Sequence, residues 1–179
     1  FWTTLVIDLI TSLCLAVSAL GMSDYKNKKA CQYMPQIVES SELHNIEPEV
    51  MIGLIFVESS FHRKAVSKAN ACGLTQVIPK YTSGPALRKK LTCEQLKNPK
   101  TSIKAGTKIL SWWIKYHNGD LERALCSYNA GFRCSYKKNK KGKIVKRPNK
   151  YGMRYAKKVL KFSKKIKTKK SSFLSIDNH

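Results

Sequence analysis

Acidic residues are scarce in this chain: 11 Asp and Glu stand against 34 Lys and Arg in 179 residues, a formal net charge of +23. Between Ser135 and Lys170 there is no acid at all, yet 17 of the 34 basic residues fall there. The charge is therefore regional, not an even coat. A block of this kind prefers anionic polymers or surfaces, among them nucleic acid, acidic lipid, teichoic acid and peptidoglycan. A solvated, solubilising face is the plainer reading of the same run. Metal-ligand spacing is also missing. The six cysteines contain no Cys-x-x-Cys pair, and His44, His62, His117 and His179 are scattered among them. That excludes a zinc site, and no metal or cofactor is expected. No internal repeat is present. The length suits one domain with short additions, enough to bury a core.

The cysteines that remain to be explained fall into two groups. Cys72 with Cys93, and Cys126 with Cys134, bracket short loop-rich stretches. Disulfides there would suit an oxidising compartment. Spacing alone fixes no connectivity, and free thiols fit as well. Cys14 and Cys31 have no evident partners.

Residues 1–22 form an apolar segment interrupted by Asp8, of a length that fits a signal-peptide core or a short membrane anchor. Val17-Ser18-Ala19 offers a small-residue cleavage site. No Lys or Arg precedes the run, whereas Lys26, Lys28 and Lys29 follow it. Export, membrane association and a buried helix are all open, and this segment is expected to stand apart from the folded domain. Next, Pro35 to His44 reads as a short amphipathic helix with Met34, Ile37, Val38 and Ser41 inward. Pro48 suits the first turn of the following helix. His62 to Gly84 breaks into polar, glycine-marked loops with room for a small hairpin. Lys100 to His117 has apolar residues at helical spacing. Asp120 can cap the helix after it. Residues 135–150 read as a basic linker or loop, 151–166 as a closing helix, and 167–179 as a loose basic tail. The chain is mainly helical.

Glu58 ends the apolar run Val50-Met-Ile-Gly-Leu-Ile-Phe-Val57. By itself it could lie beyond the last turn and face water. On a continuing helix it shares a face with Leu54 and Phe61. A carboxyl there loses hydration and its pKa rises, as a general acid near neutral pH requires.

Four pieces in order carry a resemblance. They are Glu58-Ser-Ser-Phe61 with Ala65 and Ser67, and Asn70-Ala-Cys-Gly-Leu-Thr-Gln-Val-Ile-Pro79. Asn98-Pro99 with Ile103-Lys-Ala-Gly106 is the third, and Ala124-Leu-Cys-Ser-Tyr-Asn-Ala-Gly131 the fourth. With Tyr155 to Val159 closing the stretch, residues from about Cys31 to Phe162 resemble the lytic transglycosylase family with the goose-type lysozyme-like fold. The resemblance implies a helical bundle around a sugar-binding cleft with at most a small β-hairpin, over residues 28–166. It implies that Glu58 is the single catalytic acid. Ser67, Gln76, Tyr128, Asn129 and Tyr155 would then contact substrate or frame the acid. The implied reaction cleaves the bond between N-acetylmuramic acid and N-acetylglucosamine, with closure of the muramyl 6-hydroxyl onto C1.

No second carboxylate falls in the matching motifs, whereas an ordinary glycosidase flanks the bond with two. Asp120 and Glu122 lie at a helix start, where capping explains them. A lone acid favours substrate-assisted chemistry by the N-acetyl group. Thr75, Ile78, Asn70 and Phe132 depart from the family pattern, the first two at cleft-lining positions. A hydrolytic muramidase on the same fold is the nearest alternative. A non-catalytic cationic protein binding cell wall or nucleic acid is the alternative of another class. The expected partners are peptidoglycan strands and anionic envelope polymers held by the basic region, with no specific nucleic acid. The expected state is an exported monomer, or one delivered with a phage particle, with membrane association through residues 1–22.

Overall fold

The computed structural model describes residues 4–138, 140–146 and 148–174. Its helices are α1 (Thr4–Ser18), α2 (Asp24–Leu43), α3 (Pro48–Ser59), α4 (Cys93–Leu96), α5 (Pro99–Tyr116), α6 (Leu121–Ala130) and α7 (Lys150–Leu174). Strands β1 (Lys137–Lys138) and β2 (Ile144–Lys146) form the one small sheet among the described residues, an antiparallel pair. The expected mainly helical bundle is therefore the observed one.

Helix α3 is the axis of the core. Pro48 occupies its first turn, where a missing N–H costs nothing. Residues 49–55 are all buried, so no face of this stretch is left to solvent. Helix α7 packs antiparallel along it. Gly53 makes the close crossing possible: a Cβ there would lie 2.8 Å from the Val159 carbonyl oxygen. Phe56 stacks on Phe162 at 4.0 Å between ring centroids. At the far end, Lys170 binds the buried carboxylate of Glu49, and Lys167 pairs with Glu47.

Several boundaries differ from the sequence reading. Helix α2 begins at Asp24, not near Pro35, and carries Pro35 inside it. Proline removes one i→i−4 hydrogen bond there. Buried Tyr33, Met34, Ile37 and Val38 hold the turns on both sides of it to the core. The stretch expected to be a loose tail from residue 167 is helical through Leu174, with the ion pairs to Glu47 and Glu49 as its anchors. Residues 175–179 of that tail lie outside the described residues. The N-terminal segment does not stand apart: α1 packs on α2 and α7, and Leu13, Ala16 and Val17 are fully buried. These three are spaced as one helical stripe, which needs an apolar partner. Asp8 faces outward. No helix among the described residues is long and apolar enough to cross a membrane. The hairpin falls in the basic stretch 135–150, while His62 to Gly84 contains only isolated bridges, Val66 with Cys72 and Cys72 with Val77.

Disulfides join Cys72 to Cys93 and Cys126 to Cys134. The first ties the loop after α3 to α4. The second closes the turn after α6, and Gly152 lies directly against its sulfurs.

Candidate active site

Glu58 occupies the penultimate position of α3. The helix stops because Ser60 adopts a left-handed conformation (φ 49°), and Phe61 follows with φ 64°. Two such non-glycine residues in succession are strained. Complete burial of Phe61 offsets the strain and fixes the turn. The Ser59 hydroxyl reaches across to the Leu74 carbonyl at 2.8 Å, which ties the end of α3 to the following loop. Glu58 is thus half-buried at a rigid helix end.

Tyr155, on α7, donates its hydroxyl to Glu58 Oε1 at 2.7 Å. The residues are 97 apart in sequence. The antiparallel α3–α7 crossing at Gly53 brings them together. Burial raises the Glu58 carboxyl from an ordinary 4.5 to about 7, against the Tyr155 hydrogen bond, which lowers it. Among the described residues no neighbouring carboxylate acts on it. The Tyr155 hydroxyl is itself pushed well up, first by burial and then by the Glu58 charge, so it stays a donor. Tyr128, on α6, is pushed up by the same two causes, which sets it within the field of Glu58. Its hydroxyl donates to the Thr75 carbonyl at 2.8 Å.

The other candidates divide. Asn129 is exposed, next to Tyr128. Ser67 is exposed, and its Oγ accepts the Ala71 N–H at 3.1 Å, an internal tie of the loop. Gln76 has a left-handed backbone (φ 48°) and donates from Nε2 to the carbonyls of Gly73 and Ala65 at 2.9 and 3.1 Å. The structure thus brings Glu58, Tyr128 and Tyr155 together and gives Ser67 and Gln76 bracing contacts within one loop. Four of the cysteines named from the sequence brace the same region as the two disulfides.

Sequence reasoning passed over the support beneath this loop. Thr75 is fully buried; its N–H donates to Ser102 Oγ at 3.1 Å and its hydroxyl to the Ser102 carbonyl at 2.7 Å. A Cβ on Gly106 would meet the Thr75 side chain at 2.5 Å, so only glycine lets α5 come this close. Thr75, expected to line the cleft, is instead buried beneath the loop; the signal for this contact was Gly106 on an otherwise good helix, where glycine costs stability. Among the described residues no cluster of His, Cys, Asp and Glu could hold a metal ion.

A half-buried acid, poised near neutrality and bonded by Tyr155, thus closes a core helix in a mainly helical lysozyme-like fold. The family model for the Transglycosylase SLT domain matches residues 36–150, and the chain belongs to that family. It is similar to the "Membrane-bound lytic murein transglycosylase C" of Actinobacillus pleuropneumoniae serotype 5b, 36% identical over 88 residues, 46% of this chain and 24% of that protein. The protein of the same name from Yersinia enterocolitica is 29% identical over 120 residues, 60% of this chain and 34% of that one. The chain therefore spans about a quarter to a third of the length of these curated relatives. Among solved structures, the 70 kDa soluble lytic transglycosylase of Escherichia coli superposes with a TM-score of 0.58 at 21% identity, covering 75% of this chain and 24% of that one. An inactive variant of lytic transglycosylase Slt from Pseudomonas aeruginosa gives 0.58 at 22% identity, covering 72% and 23%. These two likenesses show the fold.

Proposed function

We propose that the chain is a peptidoglycan lytic transglycosylase that cleaves the MurNAc-β-1,4-GlcNAc bond and leaves 1,6-anhydro-MurNAc. The observation that carries the reading is a single acid with its pKa raised to about 7 and, among the described residues, no second carboxylate acting on it. Family membership supplies the substrate class.

Protonated Glu58 gives its proton to the glycosidic oxygen as the bond to muramyl C1 breaks, and GlcNAc departs with a free 4-hydroxyl. The N-acetyl carbonyl oxygen of the same muramyl unit bonds to C1 and holds the positive charge, a substrate-assisted route. Glu58, now a carboxylate, takes the proton of the 6-hydroxyl. O6 then bonds to C1 and displaces the N-acetyl oxygen. Glu58 ends protonated, ready for another cycle. Tyr155 holds Oε1, which leaves Oε2 for both transfers. A pKa near the working pH suits a group that must act as acid and then as base. In this reading Ser67, Gln76 and Asn129 present polar groups to the sugar, Tyr128 walls the cleft, and the packed helices α1 to α7 are the catalytic unit.

The basic region, including the outward lysines of α7, retains the enzyme on anionic envelope polymers without selecting nucleic acid. Work on peptidoglycan requires export to the cell envelope. The enzyme acts as a monomer. The test is release of soluble muropeptides from purified peptidoglycan by the full chain and by Glu58→Gln. Release by the first and none by the second is expected. Equal release would sink the assignment of Glu58.

A further inference from the structure

Beyond Glu58, the most unusual surface is an aromatic one. Phe132 is 62% exposed and Tyr116 46% exposed, and both stand on Trp113. Phe132 meets the rings of Trp113, Tyr116 and Trp112 edge-on at centroid distances of 5.1, 5.4 and 6.2 Å. Trp112 stacks on Tyr116 at 5.5 Å. Such edge-on packing fixes Phe132 from below and leaves its outer side free. A monomer gains nothing from keeping these rings wet, so a patch of this kind marks a binding surface.

Its position says what it binds. Trp113 lies two helical turns beyond Gly106 on the same face of α5. Gly106 is where α5 meets Thr75, whose carbonyl anchors Tyr128. The rise from Gly106 to Trp113 is about 10 Å. Phe132 follows exposed Asn129 by three residues, a reach of at most about 10 Å. The platform therefore lies within about 10 Å of Asn129, which borders Tyr128. Asn129 and Arg133, close to Phe132 in the chain, are exposed polar groups suited to hydroxyls and amides.

We propose that Phe132 and Tyr116, backed by Trp112 and Trp113, form a distal subsite that stacks a pyranose ring of the same glycan strand that reaches Glu58. The apolar C–H face of a pyranose carries slight positive charge and matches the negative face of an aromatic ring. The subsite rests on the glycan reading of the Glu58 cleft. It makes the chain select long strands over short fragments, since only a long strand spans both places.

The test uses the full chain carrying Glu58→Gln, with chitohexaose and chitobiose as probes and the fluorescence of the underlying tryptophans as readout. Adding Phe132→Ala should weaken chitohexaose roughly threefold to tenfold and leave chitobiose unchanged, whereas Phe132→Tyr should keep the parent affinity. Near-ultraviolet circular dichroism of each variant reports whether the aromatic cluster stays folded. Equal affinity of Phe132→Ala and its parent for chitohexaose overturns the subsite while the glycan reading stands. Failure of the parent to bind either oligomer overturns both.

Discussion

Replacing Glu58 by Gln should make the protein more stable at pH 8 and leave its stability at pH 4.5 nearly unchanged. The folded state raises the Glu58 pKa from 4.5 to about 7, with burial as the main cause. Between those two values the folded chain holds a proton that the unfolded chain has released. Stability then falls as pH rises through that window and is level above it. At about 1.4 kcal/mol per pKa unit the full penalty is about 3 kcal/mol. Glu58 keeps a wetted edge, so about 1–3 kcal/mol is the expected range. Glutamine carries no charge, and its Oε1 can accept the Tyr155 hydroxyl as the carboxyl does. The gain should therefore be absent at pH 4.5, grow between pH 5 and pH 7, and stay constant above. For a chain of this size each kcal/mol moves Tm by about 2–4 °C, so the shift at pH 8 should be about 2–12 °C. Urea unfolding of both proteins at several pH values measures it. Parallel stability curves for the two proteins would refute the claim that Glu58 is held in a desolvated, proton-retaining site.

Two further outcomes follow from the same contacts. Tyr155→Phe removes the one interaction that lowers the Glu58 pKa, so the alkaline limb of the muropeptide-release profile should move to higher pH; an unmoved limb would mean that Tyr155 does not act on Glu58. Gly53→Ala would push a methyl to 2.8 Å from the Val159 carbonyl and should cost about 1–3 kcal/mol by forcing α3 and α7 apart, read by urea unfolding, with activity falling because Glu58 and Tyr155 sit across that same crossing.

Local chemistry made some elements legible. Pro48 at a helix start, Asn98 and Asp120 as side-chain caps, and the apolar spacing of α5 all act within one or two turns, and the observed caps on Thr101 and Arg123 are of that kind. The importance of Glu58 was legible because an acid closing an apolar run conflicts with its surroundings. Other elements depend on partners far away in sequence. The first half of α2 is polar and lysine-rich, and Pro35 suggested a helix start where there is none. The last turns of α7 look like a soluble tail until Glu47 and Glu49 are placed beside Lys167 and Lys170. The stripe of α1 reads as an export segment because its apolar partners, α2 and α7, lie elsewhere in the chain. Tyr155 entered through family likeness alone, since no local pattern tells a core tyrosine from one that meets a carboxyl across 97 residues. The bracing contacts of Gln76 and Ser67 are backbone ties of a turn, which residue identity does not announce.

The central claim is that one acid performs both proton transfers and that the muramyl 6-hydroxyl, not water, closes on C1. Mass spectrometry of the termini produced when the full chain digests purified peptidoglycan tests it most directly. The account predicts 1,6-anhydro-muramyl ends, lighter by one water than hydrolytic ends, and none with Glu58→Gln. Reducing muramyl ends as the main product would contradict it.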